Sequence, residues 1–147
     1  MSSDEPPVVP ANRIEELRRE LPPRVTAGQG RKTHGRWVGA DGATRSIISG
    51  RDHDSEFAEH ELERRGMPGA TTRPGDVELK LAAHMLRNGI RHVTVVINHS
   101  PCKGDYGCDT LVPILLPEGS TLTVHGVTRQ GAKMYKRYTG GATPWWR

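Results

Sequence analysis

Residues Asp76–Asn98 read DVELKLAAHMLRNGIRHVTVVIN, a helical pattern and a strand pattern joined by a glycine. Val77, Leu81, Ala82, Met85 and Leu86 recur at the i, i+4 and i+8 or i+9 spacing of one helix face, and Asn88-Gly89 supplies a C-terminal stop. The run HVTVVIN is β-branched and almost continuously apolar, which suits a central strand covered on both faces. A helix feeding a doubly buried strand points to a sheet with helices packed on it, an α/β fold.

Upstream, GRWVGADGATRSIIS gives two short apolar runs around Asp41-Gly42, a dipeptide suited to the positive φ angles of a hairpin turn. DSEFAEHELERRG reads as a thinly amphipathic helix that Gly66 stops. Further back, Asn12–Leu21 places Ile14, Leu17 and Leu21 at helical spacing behind a possible Asn12 cap, with Pro22-Pro23 as the stop. Downstream, CDTLVPILLP predicts a short helix with Pro113 tolerated near its first turn, and TLTVHGV and AKMYKRYTG predict two strands. GGATPWWR closes the chain as an irregular tail. The expected order is helix, two strands, helix, helix, strand, short helix, strand, strand, without internal repeats. Residues 1–23 read as a linker and a short, mobile N-terminal helix, and 24–147 as the domain proper.

The chain's 147 residues suit one core, but only 34% are hydrophobic and 5% aromatic, so a few apolar segments must supply a small, local core. Lys and Arg total 21 against 17 Asp and Glu, a net charge of +4, which admits a polyanionic partner as well as a merely solvated basic surface. No run approaches the ~18 apolar residues of a membrane span, and Met1–Pro10 lacks the apolar core of a secretory signal.

Both cysteines, Cys102 and Cys108, stand in one loop, PCKGDYGC. A disulfide there would close too short a loop to stabilise much, so thiolate ligation of a metal is the better use. Zinc takes about four ligands drawn from thiolate, imidazole and carboxylate, and a catalytic site leaves one position for water. Asp76, just ahead of a helix, is placed to be the third protein ligand. Glu78, two residues on, would lie beside the metal as a general acid/base. Capping is the competing explanation, because Asp is a preferred N-cap and Glu is favoured in a first turn. His53, His60, His84, His92 and His99 are rival ligand candidates, each read alone as a surface or core-edge residue.

Taken together, these residues resemble the zinc-dependent nucleobase deaminases, which carry H-x-E followed by P-C-x-x-C. More narrowly, Thr33–Gly140 is similar to the DddA-like family of bacterial toxin deaminases, within the cytidine deaminase superfamily. The matching pieces are Ser49-Gly50 after the hairpin, D-V-E-x-K-x-A-x-x-M with R-N-G-I, V-I-N-x-x-P-C, G-C-D and L-L-P-E-G-S-T-L-T-V. The resemblance implies a cytidine-deaminase-like three-layer domain, a mixed five-stranded sheet flanked by helices. It also implies zinc as cofactor, Glu78 as the catalytic acid/base, Cys102 and Cys108 as ligands, and Ser49, Gly50 and Asn98 as substrate contacts.

Two departures from the family pattern stand out. Asp76 occupies the ligand histidine's place, so the ligand set carries one more negative charge and makes the metal a weaker Lewis acid. KGDYG separates the cysteines where the family has two residues, and Tyr106 in that loop is a candidate for stacking on a base.

The expected reaction turns cytosine into uracil in DNA, with single strand and duplex both open. Arg129, Lys133, Tyr135, Lys136, Arg137 and Tyr138, then Trp145, Trp146 and Arg147, interleave cations for phosphates with aromatic faces for bases. Of these, Lys133, Tyr135, Arg137, Trp145 and Trp146 are the substrate-binding candidates; a solvated edge strand is the plainer account. The family implies a monomeric C-terminal module of an exported interbacterial toxin, acting in the target cell's cytoplasm, held in check by a cognate immunity protein and needing no membrane. The alternatives are a non-catalytic zinc-stapled nucleic-acid-binding domain and a deaminase of free cytidine.

Overall fold

The computed structural model describes residues 9–22, 33–39, 42–68, 76–99, 108–128 and 130–146. Its elements are α1 (Ala11–Glu20), β1 (His34–Val38), β2 (Thr44–Ile48), α2 (His53–Arg64), α3 (Val77–Asn88), β3 (His92–Ile97), α4 (Cys108–Leu115), β4 (Thr121–Val127) and β5 (Lys133–Thr139). The strands form one sheet in the order β2-β1-β3-β4-β5. β3 and β4 run parallel while the other pairs are antiparallel, so the sheet is mixed. The element order and the α/β class are those the sequence predicts, and HVTVVI is the central strand.

The three layers follow from how β3 divides its side chains. Successive strand residues point to opposite faces, and all six residues of β3 are buried. Val93, Val95 and Ile97 join a cluster with Ala58 and Leu62 of α2, Val77, Leu81 and Met85 of α3, and Leu111 and Leu115 of α4. Val96 points the other way and packs on Ile14 and Leu17 of α1. The sheet therefore lies between α1 and a layer made of α2, α3 and α4. The main cluster runs from Trp37 to Tyr138 and links α2, α4 and the sheet to α3, while α1 and Val96 form a second cluster on the opposite face, so the core is larger than a few local segments.

α1 is fixed to the sheet by more than its apolar stripe. Arg13 donates to Thr44 Oγ1 at 2.7 Å, Arg18 to Gly126 O at 2.8 Å, and Lys133 meets Glu15 at 3.0 Å. Packed in this way, α1 is a layer of the fold and not the mobile appendage expected of it. Its N-cap is Pro10, not Asn12, and Pro10 O accepts from Arg13 and Ile14. Proline suits a helix start because its fixed φ and missing N–H cost nothing there.

Other ends also have identifiable causes. Gly42, at φ 76°, donates to Gly39 O in the hairpin turn, whose Asp41 lies outside the described residues. α2 is capped by Asp52, which accepts from Ser55 N while Ser55 Oγ accepts from Asp52 N, a reciprocal capping box. Gly89, at φ 67°, ends α3 in the left-handed conformation that glycine adopts without strain. Pro113 sits sixth among the eight residues of α4, well past the first turn expected for it. The helix ends two residues later and so is too short for the missing N–H to break it.

Candidate active site

The direction of the chain assembles one end of the sheet. Three residues, Gly89 to Arg91, join α3 to β3, so the two elements must run antiparallel. Twelve helical residues rise ~18 Å and six strand residues ~20 Å, which brings the start of α3 level with the end of β3. Beyond β3 the chain returns as α4, which begins at Cys108 and packs against α3. Asp76, Glu78 and Cys108 are thereby carried to one end of the domain on the starts of two packed helices.

Asp76 is the N-cap residue of α3, and its carbonyl accepts the first helical bond from Lys80 N at 2.9 Å. Its carboxylate makes no capping hydrogen bond, so capping does not explain the residue. Glu78, second in the helix, keeps only 4% of its surface exposed. A carboxylate that deep is costly unless its surroundings stabilise it, and the amide dipoles of a helix's first turn favour an anion. Cys102 and Tyr106 lie outside the described residues, as does the side chain of Cys108. Among the described residues no three His, Cys, Asp or Glu side chains group closely enough to hold a metal. Two side chains of the expected ligand set fall outside them.

Ser49, Gly50 and Asn98 meet at the same end. Gly35 pairs with both Ile47 and Ile97, so β2 and β3 finish side by side around the start of β1. Ser49 N donates to Thr33 O at 2.9 Å, and Ser49 Oγ accepts from Thr33 N at 2.8 Å. Asn98 is 4% exposed, and its Oδ1 accepts from His34 N at 2.8 Å while its own N–H donates to His34 O. That amide closes the sheet end by continuing the β1–β3 pairing through a side chain. Gly50, at φ 132°, sits where a side chain would be strained.

The cationic and aromatic candidates are spread more widely. Val127 N donates to His99 O, which puts Lys133, its partner across the β4–β5 pair, at the same sheet end. Arg137 is four strand residues further on, ~13 Å away, with its Nε donating to Thr123 Oγ1 at 3.3 Å. Tyr135, 57% exposed, stands edge-on to His125. Lys133 holds the Glu15 carboxyl below its usual range by a direct hydrogen bond, against the opposing effect of burial. Trp145 is partly exposed and stands edge-on to Trp146, but Trp146 packs on the core and its Nε1 donates to Arg65 O at 3.0 Å. The chain thus carries Asp76, Glu78, Cys108, Ser49, Gly50, Asn98 and Lys133 to one end, while Arg137 bonds to Thr123 and Trp146 to the Arg65 carbonyl.

Sequence reasoning missed Lys80 and Asp52. Lys80 is 3% exposed, and its Nζ lies 2.6 Å from both Ile48 O and Asp52 Oδ2. The Asp52–Ser55 capping pair and the lysine of the D-V-E-x-K piece were the available signals, but neither shows in sequence that the two side chains meet. A family model described as SCP1.201-like deaminase matches residues 2–142. No curated protein matches the chain.

Proposed function

The chain belongs to the SCP1.201-like deaminase family, and from that premise we propose that it is a zinc-dependent cytosine deaminase of the DddA-like kind, acting on DNA as the toxin module of an interbacterial effector. The observation that carries the reading is the start of α3. Asp76 holds the N-cap position without a capping bond, and Glu78 is buried two residues later, at the end of the domain where Cys108 opens α4. A carboxylate not used as a cap, next to a helix that starts with a thiol, suits a zinc ligand set of Asp76, Cys108 and Cys102. Bound there, zinc would supply Lewis-acid activation of water.

Glu78 does the proton work. Its carboxylate takes a proton from the water that attacks C4 of cytosine and delivers it to N3. It then carries the second water proton to the 4-amino group, so that ammonia leaves and uracil remains. Burial suits this role, because a carboxylate shielded from bulk water exchanges its proton with the bound base rather than with solvent.

The basic, aromatic composition of β5 favours a polynucleotide over a free nucleoside, with Lys133 nearest the site and Tyr135 exposed beside it. Among the described residues no helix is long and apolar enough to cross a membrane. The test pairs zinc content of the purified chain with turnover of cytosine in single-stranded DNA, duplex DNA, RNA and free cytidine. About one zinc per chain, with uracil formed in DNA and not from cytidine, is the expected result. A zinc-loaded chain inert on all four substrates would mean a non-catalytic domain.

A further inference from the structure

Lys80 lies in the helical turn that carries Glu78, but residues two apart on a helix point ~200° from each other. Glu78 and Lys80 therefore face opposite flanks of α3. On its flank the Lys80 ammonium is almost wholly buried and spans two segments: it donates to Ile48 O at the end of β2 and pairs with Asp52 Oδ2 at the start of α2, both at 2.6 Å. Asp52 in turn uses Oδ1 to accept from Ser55 N, and Ser55 Oγ accepts from Asp52 N at 2.7 Å. Between the two anchors lie Ser49, Gly50 and Arg51.

Burying an ammonium is expensive, and an apolar side chain of similar length often serves stability as well or better. What such a side chain cannot do is hold a carbonyl and a carboxylate at fixed distances from one atom. We infer that Lys80 is a positioning residue for substrate, clamping the Ile48–Asp52 turn to α3 so that Ser49 and Gly50 keep a fixed place relative to Glu78. This rests on the proposed reading, in which that turn forms the rim of the substrate site. The rim and the catalytic carboxylate are then referenced to the same helical turn, so the target base meets Glu78 in register.

The test compares Lys80→Met, which keeps the stem and removes the charge, with Asp52→Asn, which keeps the shape and removes the counter-charge. In both, KM for a cytosine-containing DNA oligonucleotide should rise, about tenfold in Lys80→Met and less in Asp52→Asn, with kcat within about threefold of wild type and zinc content unchanged. Backbone amides of Ser49 and Asp52 should exchange about tenfold faster with solvent, while those of β3 do not change. Unchanged KM and unchanged exchange would overturn the inference, as would a fall in kcat and zinc content at constant KM, which would assign Lys80 to the reacting centre. If Lys80→Met does not fold, Asp52→Asn alone decides the matter on the same criteria. A wild-type chain inactive on every cytosine substrate would refute the proposed reaction instead, and amide exchange together with oligonucleotide Kd would still read the clamp.

Discussion

Asp76→Ala separates a metal ligand from a helix cap by a calculation that the structure permits. Removing a working Asp N-cap costs ~1 kcal/mol, and in a domain of about this size each kcal/mol moves Tm by ~2–4 °C. Asp76 makes no capping bond, and the carbonyl that accepts from Lys80 N belongs to the backbone and survives the substitution. What is lost is a carboxylate near the positive end of the helix dipole, worth ~0.3–1 kcal/mol when exposed to solvent. In chelator-treated protein Tm should therefore fall by up to about 4 °C, a range that overlaps the loss of a cap, so zinc affinity is the reading that separates the two. Zinc affinity should fall by more than about a hundredfold, since even partners that only orient a ligand are worth ten- to a hundredfold. Thermal melts with and without chelator, together with a competitive zinc titration, read both quantities. Asp76→His should keep zinc and Asp76→Asn should lose it. A metal-free Asp76→Ala protein melting about 4 °C or more below wild type, with zinc affinity intact, would refute the argument and make Asp76 a cap.

Three further outcomes follow from the structure. A Cβ at Gly126 would collide with His99 O, so Gly126→Ala should displace the backbone leaving β3 and lower stability by ~1–3 kcal/mol in a denaturant melt, with zinc content falling too. Burial, and secondarily the charge of Arg18, holds the His125 imidazole below its ordinary range. The folded protein thus resists a proton that the unfolded chain accepts, so stability is complete above about pH 6.5 and is lost as pH falls below it. His125→Gln should flatten that slope in urea titrations. Trp146→Phe removes the N–H that Arg65 O accepts and should cost ~1 kcal/mol of stability without changing DNA affinity; weakened DNA binding at unchanged Tm would make Trp146 a substrate contact.

What could be read ahead of the structure was whatever local pattern decides alone. The Gly89 stop, the β-branched run of β3 and the apolar stripe of α3 each have a local physical cause, and each element formed as expected. The stripe understated α3, however: Val77 through Ala83 are all buried, because α2, α4 and the sheet cover it on several sides. Periodicity marks the most apolar face and cannot show how many neighbours a helix will have. The N-terminal helix was placed correctly but misjudged in role, since only the fold brings Val96 under Ile14 and Leu17.

The same limit governs the site. The spacing of Asp76 and Glu78 at one helix start and of Cys108 at the next could be read from sequence, while their roles belong to the proposed function. Lys80 stands in the D-V-E-x-K piece, but its role was not legible, because Ile48 O and Asp52 arrive from elsewhere in the chain. Trp146 read as a free aromatic near the terminus for the same reason, its partner being the carbonyl of Arg65 far away in sequence.

The most direct test of the account is uracil formation from cytosine in DNA, single-stranded and duplex with every flanking base, by the wild-type chain and by Glu78→Ala, each zinc-loaded and matched for Tm. The account predicts uracil from the wild type and a loss of at least about a thousandfold in kcat for the variant. A Glu78→Ala protein that forms uracil at the wild-type rate would contradict it.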